Sequence, residues 1–513
     1  MRDSIIITLT FLLLLFGMSS HVRAQEDAPR PIHVVIEIHC DPMWFGSPSL
    51  QEVLYDEWVV AVDEALDEAE AHGARISFLS TGQFMEWVLE KPESGFPLIE
   101  RLHEHGDQIG THLHNRTQVA PFVWVDTGAT SEEEIEALWD SHVAMVDEVV
   151  EQVLGVTDPA AVRAINDVLG AHVPNDDTLR IDMLEDYGFV GHEQGPEEIF
   201  TSFFDHYAMN PWRPARDGIL RSDLDGPVVL VPFGPVLGKN EVHFGVLQDM
   251  RLPAFKARFL MELLNWLHDI KVTGNDRIWV TGWAAHCHDV IEGTSTRDAW
   301  EPLIAWLDDT FVDIPVGGHD AGVFSTIKEV RTEFLEWEAE NPGADGFDYQ
   351  PLEADWSAYP YLVGAVRYLA QAEHVVDLPP SGPIRMHRLL SSEEADAFDL
   401  HVVYTTHGNG VIADLSLQLG VSEIAVVDTR LGTWEVVPAT SVPIVPQGAI
   451  LVAPEDALAI TMFGDLNADG RINGADLAVL LAEWNTSGAD SDLDGNGTVE
   501  GADLSMLLGN WTG

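Results

Sequence analysis

Ile36-Glu37-Ile38-His39-Cys40-Asp41 closes an apolar, strand-like run near the start of the chain, and Ala285-His286-Cys287-His288-Asp289 echoes it far downstream. A third tract of the same kind, Ile109-Gly110-Thr111-His112-Leu113-His114, lies between them. In each, apolar residues give way at the C-terminal end to imidazole and carboxylate groups. Several strand ends carrying such groups, far apart in sequence, predict an active site at the mouth of an α/β barrel. A doubly wound sheet would instead gather its site at one switch point.

The spacing inside these tracts adds chemistry. Glu37, His39 and Asp41 alternate with Ile36, Ile38 and Cys40, so the two-residue period of a strand places the three polar side chains on one side. His112 and His114 share a parity across Leu113. Two histidines at a strand end contribute little to packing and desolvate polar nitrogens, whereas neutral imidazoles and a carboxylate on converging ends suit Zn²⁺ with an open position for water. His39, Asp41, His112 and His114 are therefore candidate metal ligands, with Glu37 deeper on the same strand.

Cys40 and Cys287 are the only cysteines, and each sits inside one of these tracts. Three states are open for the pair: a disulfide if the tracts end neighbouring strands, two buried thiols, or a thiolate metal ligand.

At 513 residues the chain is too long for one core, and two or three domains are expected. A formal charge of -59 excludes a nucleic-acid binder, which needs a basic footprint, but identifies no substrate. Residues 1–24 read as a signal peptide: Arg2, the apolar run Ile5 to Phe16, and small residues at Val22 and Ala24 before the cut. The apolar run is short of the ~20 residues that span a bilayer. The expected location is secreted, cell-surface or periplasmic, with no membrane span after the leader is removed.

Strand-like runs at His33–Ile38, Arg75–Leu79, Gln108–Thr111, Val162–Leu169, Phe189–Gly191, Val228–Pro232, Arg277–Thr281 and Phe311–Val316 alternate with helical periodicity at Glu52–Ala71, Ser131–Leu154, Pro253–Ile270 and Thr296–Leu307. This pattern predicts an α/β fold, a seven- or eight-unit (β/α) barrel over residues 30–375. A helix-like segment covers Ser357–Ala372, and Pro379–Pro383 reads as a linker. Short turn-bounded runs then predict a small all-β domain over 384–455.

The tail, 463–513, repeats one pattern at Asp465–Asp476 and Asp492–Asp503. Oxygen side chains occupy loop positions 1, 3 and 5, glycine position 6 and aspartate position 12, an arrangement of hard donors suited to Ca²⁺. The candidate calcium residues are Asp465, Asn467, Asp469, Arg471 and Asp476, then Asp492, Asp494, Asn496, Thr498 and Asp503. With a helix after each loop, none before it, and Asp at position 12, the pair resembles a dockerin. That resemblance implies a helical calcium module that binds a cohesin-like or cell-surface partner.

The N-terminal strand ending in acidic residues, followed by Leu98 to His112 with its Ile109-Gly110-Thr111-His112, resembles the polysaccharide deacetylase superfamily of metal-dependent carbohydrate esterases. The family pairs two aspartates after strand one, one on the metal and one as base. Its second motif carries two metal histidines four residues apart. His112 takes the first histidine's place. Arg116 stands where the second would be, leaving His114, and Asp41 alone stands for the aspartates. The resemblance implies Asp41 as carboxylate base, and His288 or His286 as proton donor, with Asp289 orienting the imidazole and His319 and Asp320 as a rival pair. Glu37 joins Asp41 and His288 among the catalytic candidates. The resemblance also implies His172 and aromatics at loop ends, chiefly Trp44 and Trp283 besides Phe45, Trp124 and Trp212, as contacts to a polysaccharide substrate. The expectation is a secreted metal-dependent polysaccharide deacetylase. The alternatives are a glycoside hydrolase using Glu37, Asp41 and Glu193, or a non-catalytic carbohydrate-binding surface protein.

Overall fold

A computed structural model of the chain describes residues 29–43, 47–114, 116–126, 131–170, 185, 189, 191–192, 209–216, 218–232, 237–238, 240–243, 246–249, 251–274, 276–345, 374–390, 399–428, 433–446, 448–454 and, in the tail, 457, 464, 466, 472–486, 491, 493 and 498–509. The leader at 1–24 and the helix expected over 357–372 lie outside these residues.

The run that opens the sequence reading forms β1 (Ile32–Cys40), every residue of which is buried. It lies inside a sheet of eight parallel strands with β2 (Ile76–Ser80), β3 (Gln108–His112), β4 (Val168–Gly170), β5 (Gly191–His192), β6 (Val229–Leu230), β7 (Trp279–His286) and β8 (Gly322–Ser325). The spatial order is β6-β5-β4-β3-β2-β1-β7, and β8 pairs with the first half of β1, Ile32 to Val35. Strands buried on both faces read as near-continuous apolar runs without alternation, so short run length and flanking turn residues, rather than a period, reveal them.

Helices cover the sheet. In α1 (Pro48–Ala71), Tyr55, Trp58, Val59, Val62, Leu66 and Ala69 are buried, the three- and four-residue spacing of one helical face, and share one core with Ile36, Ile38 and Phe78. Then come α2 (Gly82–Glu90), α3 (Pro92–His105), α4 (Glu132–Leu154), α5 (Pro159–Ile165), α6 (Leu252–His268), α7 (Ser295–Thr310) and α8 (Ile327–Glu340). Gly106, at φ 89°, ends α3 in the left-handed conformation that glycine adopts without strain and turns the chain into β3.

The sheet is curled, and its end strands β6 and β7 are joined by no ladder among the described residues. Residues 209–212 lie between them instead. Val280 N–H donates to Met209 O at 2.8 Å, while Trp212 and Leu230 exchange backbone bonds of 2.8 and 3.1 Å. Two expected strands are displaced and the expected linker is replaced. Val162 falls in α5, because Pro159 at a helix start favours helix there, and the strand begins at Val168. Of the run at 311–316, only Pro315–Val316 is strand, in a small antiparallel pair with His319–Asp320; the sheet takes Gly322–Ser325. Pro379 to Pro383 is no linker: it ends one strand and turns into the next.

Those strands, β9 (His374–Ser381) and β10 (Ile384–Leu390), begin a six-stranded antiparallel sheet with β11 (Asp399–Thr405), β12 (Glu423–Asp428), β13 (Thr433–Pro438) and β14 (Ala449–Val452), ordered β9-β10-β11-β14-β12-β13. It packs on α6, and a half-buried polar chain joins it to α7. Tyr404 O–H lies 2.8 Å from His387 Nε2, His387 Nδ1 lies 2.7 Å from Asp377, and Trp306 Nε1 donates to Asp377 at 3.1 Å. Burial raises the Tyr404 phenol well above its ordinary pKa, so it stays protonated as the donor to His387.

The tail helices α9 (Gly474–Ala482) and α10 (Gly501–Gly509) pack through Ile472, Leu480, Val499 and Leu507, all buried. No described helix is long and apolar enough to cross a membrane.

Candidate metal centre

The cluster forms because parallel register aligns the ends of separate tracts. β1 pairs with β7 from Ile32↔Trp279 to His39↔His286, and Cys287 N–H donates to His39 O at 2.9 Å. That alignment requires Gly282: a Cβ there would lie 1.8 Å from Val35 O. On the other side β2 and β3 bring His112 to the same edge, and Leu113 N–H donates to Gly170 O at 2.7 Å.

Asp41, one step past β1, is the hub. His114 Nε2 lies 2.9 Å from Asp41 Oδ1, His112 Nε2 at 3.6 Å and His39 Nε2 at 3.7 Å. His286 Nε2 lies 3.6 Å from the other oxygen, Oδ2. The His39 ring stacks on His112 at 4.4 Å between centroids and meets the edge of His286 at 4.3 Å. Three groups of side chains could hold a metal ion: Asp41, His112 and His114; His39, Asp41 and His286; and His286, His288 and Asp289.

Two of the imidazoles are fixed from behind. Both oxygens of Glu37, which is fully buried, lie 2.8 Å from His39 Nδ1, and Asp289 hydrogen-bonds His286 Nδ1. A carboxylate accepting from Nδ1–H leaves the lone pair on Nε2, the nitrogen that faces Asp41. Burial, followed by the neighbouring imidazoles His286 and His112, pushes the His39 pKa well down, and burial lowers that of His114. Both rings are thereby held neutral, as metal ligation requires. Burial alone would raise the Asp41 pKa, but hydrogen bonds from His112 and His114 and the proximity of His39 and His286 outweigh it and hold the carboxyl ionised.

The loop after Asp41 is anchored by Met43 N–H donating to Gln83 Oε1 at 3.0 Å and by Arg116, which reaches Met43 O at 3.4 Å. Arg116 thus braces the loop. His142 supports both flanks: Gly82 N–H donates to its Nδ1 at 2.9 Å, and its Nε2–H donates to Arg116 O at 2.9 Å. Cys40 and Cys287 form a disulfide, with Cα atoms 5.1 Å apart.

Several expected site residues stand elsewhere. Glu37 sits beneath His39 and cannot reach substrate. Trp283 is fully buried between Phe255 and Trp300, with ring centroids at 5.4 and 5.9 Å, because its parity on β7 faces the helices; it is a core residue, not a sugar platform. Trp124 and Trp212 are buried too. His319 and Asp320 precede β8 and so lie at the opposite end of the sheet from the cluster. His288, its side chain 45% exposed, lies at the mouth with Nε2 3.6 Å from Asp289 and its ring 6.1 Å from that of Trp58. Trp44, Phe45, His172 and Glu193 lie outside the described residues, as do Asp465, Asn467, Asp469, Arg471, Asp492, Asp494 and Asn496.

His286 was expected as a proton donor; its place against Asp41 was legible only through its pairing with His39. His142 had no sequence signal beyond a lone histidine on a helix. In the tail, Asp476 accepts from Asn473 N–H at 2.8 Å, and Asp503 accepts from Glu500 N–H and Leu493 N–H, each at 2.6 Å. Thr498 lies in the bend before α10.

No curated protein matches the chain. Among solved structures it is similar to a probable polysaccharide deacetylase from Pseudomonas aeruginosa PAO1, at 13% identity over 61% of this chain and 93% of that one, with a TM-score of 0.35. It is also similar to a peptidoglycan deacetylase from Bacillus subtilis (11%, 62% and 99%, TM-score 0.26) and to the allantoinase Puue (13%, 61% and 92%, TM-score 0.36). At these TM-scores the likenesses carry no argument about activity. Residues 463–509 match the family model of the dockerin type I domain, and the chain ends in such a domain.

Proposed function

We propose that this chain is an exported metal-dependent hydrolase that removes acyl groups from a polysaccharide, with its site at the mouth of a (β/α) barrel of which the curled sheet is the frame. The observation that carries the reading is the convergence of imidazole Nε2 atoms from three strand ends on the half-buried, ionised Asp41. Asp41, His112 and His114 are the ligands of the ion, with His39 beside them. Bound there, a divalent ion such as Zn²⁺ would supply Lewis-acid chemistry, polarising an acyl carbonyl and lowering the pKa of a water.

Asp41 is better suited to ligation than to the part of base, because its depressed pKa makes it a weak proton acceptor. Glu37 and Asp289 orient His39 and His286. His288 at the exposed rim delivers a proton to the departing amine or hydroxyl, with Asp289 behind it. His172 and Trp44 are proposed substrate contacts, and the leader at 1–24 directs export. In the tail, Asp476 and Asp503 complete two Ca²⁺ loops with Asp465, Asn467, Asp469, Arg471, Asp492, Asp494, Asn496 and Thr498. The dockerin domain then attaches the enzyme to a cohesin-like partner.

Glycosidic cleavage is disfavoured by the burial of Glu37, which leaves Asp41 without a second reachable carboxylate of the tract. The test is product analysis on an acetylated polysaccharide: released acetate without new reducing ends is expected, and new reducing ends without acetate would assign the glycosidase reading instead.

A further inference from the structure

We infer that the centre takes two divalent cations bridged by Asp41, the first on Asp41, His112 and His114 and the second on Asp41, His39 and His286. This rests on the proposed reading of the first three as metal ligands and adds a second site to it.

Two of the three groups, Asp41–His112–His114 and His39–Asp41–His286, share only Asp41, with the ligand atoms of each group within 4.8 Å of one another, and the third, His286, His288 and Asp289, overlaps the second at His286. Donors around one tetrahedral Zn²⁺ at about 2.0–2.2 Å lie roughly 3.3–3.6 Å apart, and the imidazole Nε2 atoms of both triads lie 2.9–3.7 Å from Asp41. Both oxygens of the bridging residue are engaged: Oδ1 lies 2.9 Å from His114 Nε2 and 3.7 Å from His39 Nε2, and Oδ2 lies 3.6 Å from His286 Nε2. A carboxylate that offers one oxygen to each of two ions holds them roughly 3.5–4 Å apart, the spacing of two-metal hydrolytic sites. The stacked rings of His39 and His112, one from each triad, lie 4.4 Å apart.

The second triad carries the clearer marks of a built site. His39 and His286 face one another in strand register, and each has Nδ1 on a buried carboxylate, Glu37 or Asp289. Such a partner fixes the ring and makes Nε2 a better donor. Charge agrees: three carboxylates, Asp41, Glu37 and Asp289, lie in or directly behind the imidazole cluster. One divalent ion leaves that buried set net negative, whereas two ions with a bound hydroxide neutralise it.

The test is zinc stoichiometry on the full chain, stripped with chelator and re-titrated with Zn²⁺ in excess Ca²⁺ to occupy the tail loops. It is read by elemental analysis after gel filtration for the wild type, the pair H39A/H286A and the pair H112A/H114A, each checked for folding by circular dichroism. Two tightly held zinc ions per wild-type chain, one of them lost in each variant, are expected. A variant that does not fold is replaced by Co²⁺ loading of the wild type, in which two ions at this spacing give an exchange-coupled spectrum. A single tight zinc in the wild type, uncoupled Co²⁺, or full zinc retention by H39A/H286A overturns the second site. Acetate release decides the hydrolase reading separately: one zinc with activity removes only the second ion, and two zincs without activity remove only the reaction.

Discussion

Cys40 and Cys287 are joined at the ends of two hydrogen-bonded parallel strands, and each lies between two side chains of the cluster, His39 and Asp41 on one strand and His286 and His288 on the other. The bond ties the two tracts together across a sequence separation of 247 residues. Closing so long a loop constrains the unfolded chain strongly, and loss of a native disulfide typically costs about 2–5 kcal/mol. The double variant C40S/C287S is expected to lose about 2–5 kcal/mol of unfolding free energy in urea titration and to bind zinc more weakly; unchanged unfolding and zinc affinity would show that strand register alone holds the site.

Glu37 acts through His39. Glu37→Gln keeps the shape but removes the charge that orients Nδ1–H. A fall of about 10- to 100-fold in zinc affinity is expected, as for other carboxylates behind ligating histidines, with little change in fold. Competition against a chromophoric chelator measures it. If Glu37 touched substrate instead, KM would change and zinc affinity would not.

His142 makes stability depend on acid. Burial lowers its pKa to about 3, against an unfolded value near 6.5. The unfolded chain therefore binds the extra proton between these values. The stabilisation is full above pH 6.5 and is lost as pH falls toward 3, by up to about 1.4 kcal/mol per pH unit from this group. His142→Gln, which retains one donor and one acceptor, is expected to flatten this part of the curve in urea unfolding measured from pH 7 to pH 4. A slope equal to that of the wild type would assign the acid sensitivity to other groups.

Asp476 and Asp503 hold the starts of α9 and α10 by accepting backbone N–H groups. Loss of such a cap costs ~1 kcal/mol, and loss of a calcium ligand adds to it. Chelation of Ca²⁺ is expected to lower the helical signal of the intact protein, and D476A/D503A should abolish calorimetrically detected calcium binding at millimolar calcium. Retained binding would place the ions on other residues.

The parts legible in the sequence were those set by period and spacing. Glu37 and His39 of β1 and Asp41 just past its end do meet on one side, and the repeated loops in the tail belong to a dockerin domain. Three-dimensional pairing was not legible. Whether Cys40 met Cys287 depended on β1 lying beside β7, and the same register, rather than any local motif, brings His286 to Asp41. Trp283 looked like a sugar platform because composition marks aromatics without saying which face they take; Gly282 and the close approach of β1 turn it into the core. Pro379 to Pro383 looked like a linker because prolines leave a ladder donor missing, yet the strand tolerates them at an irregularity between Leu378 and Ser381.

The most direct test of the account is acetate release from an acetylated polysaccharide by the chelator-stripped protein before and after Zn²⁺ is restored, alongside H112A/H114A. Activity that is absent without metal, returns with zinc and stays absent in the variant is the predicted result. Equal acetate release by the stripped and zinc-loaded protein, or by the variant, would contradict it.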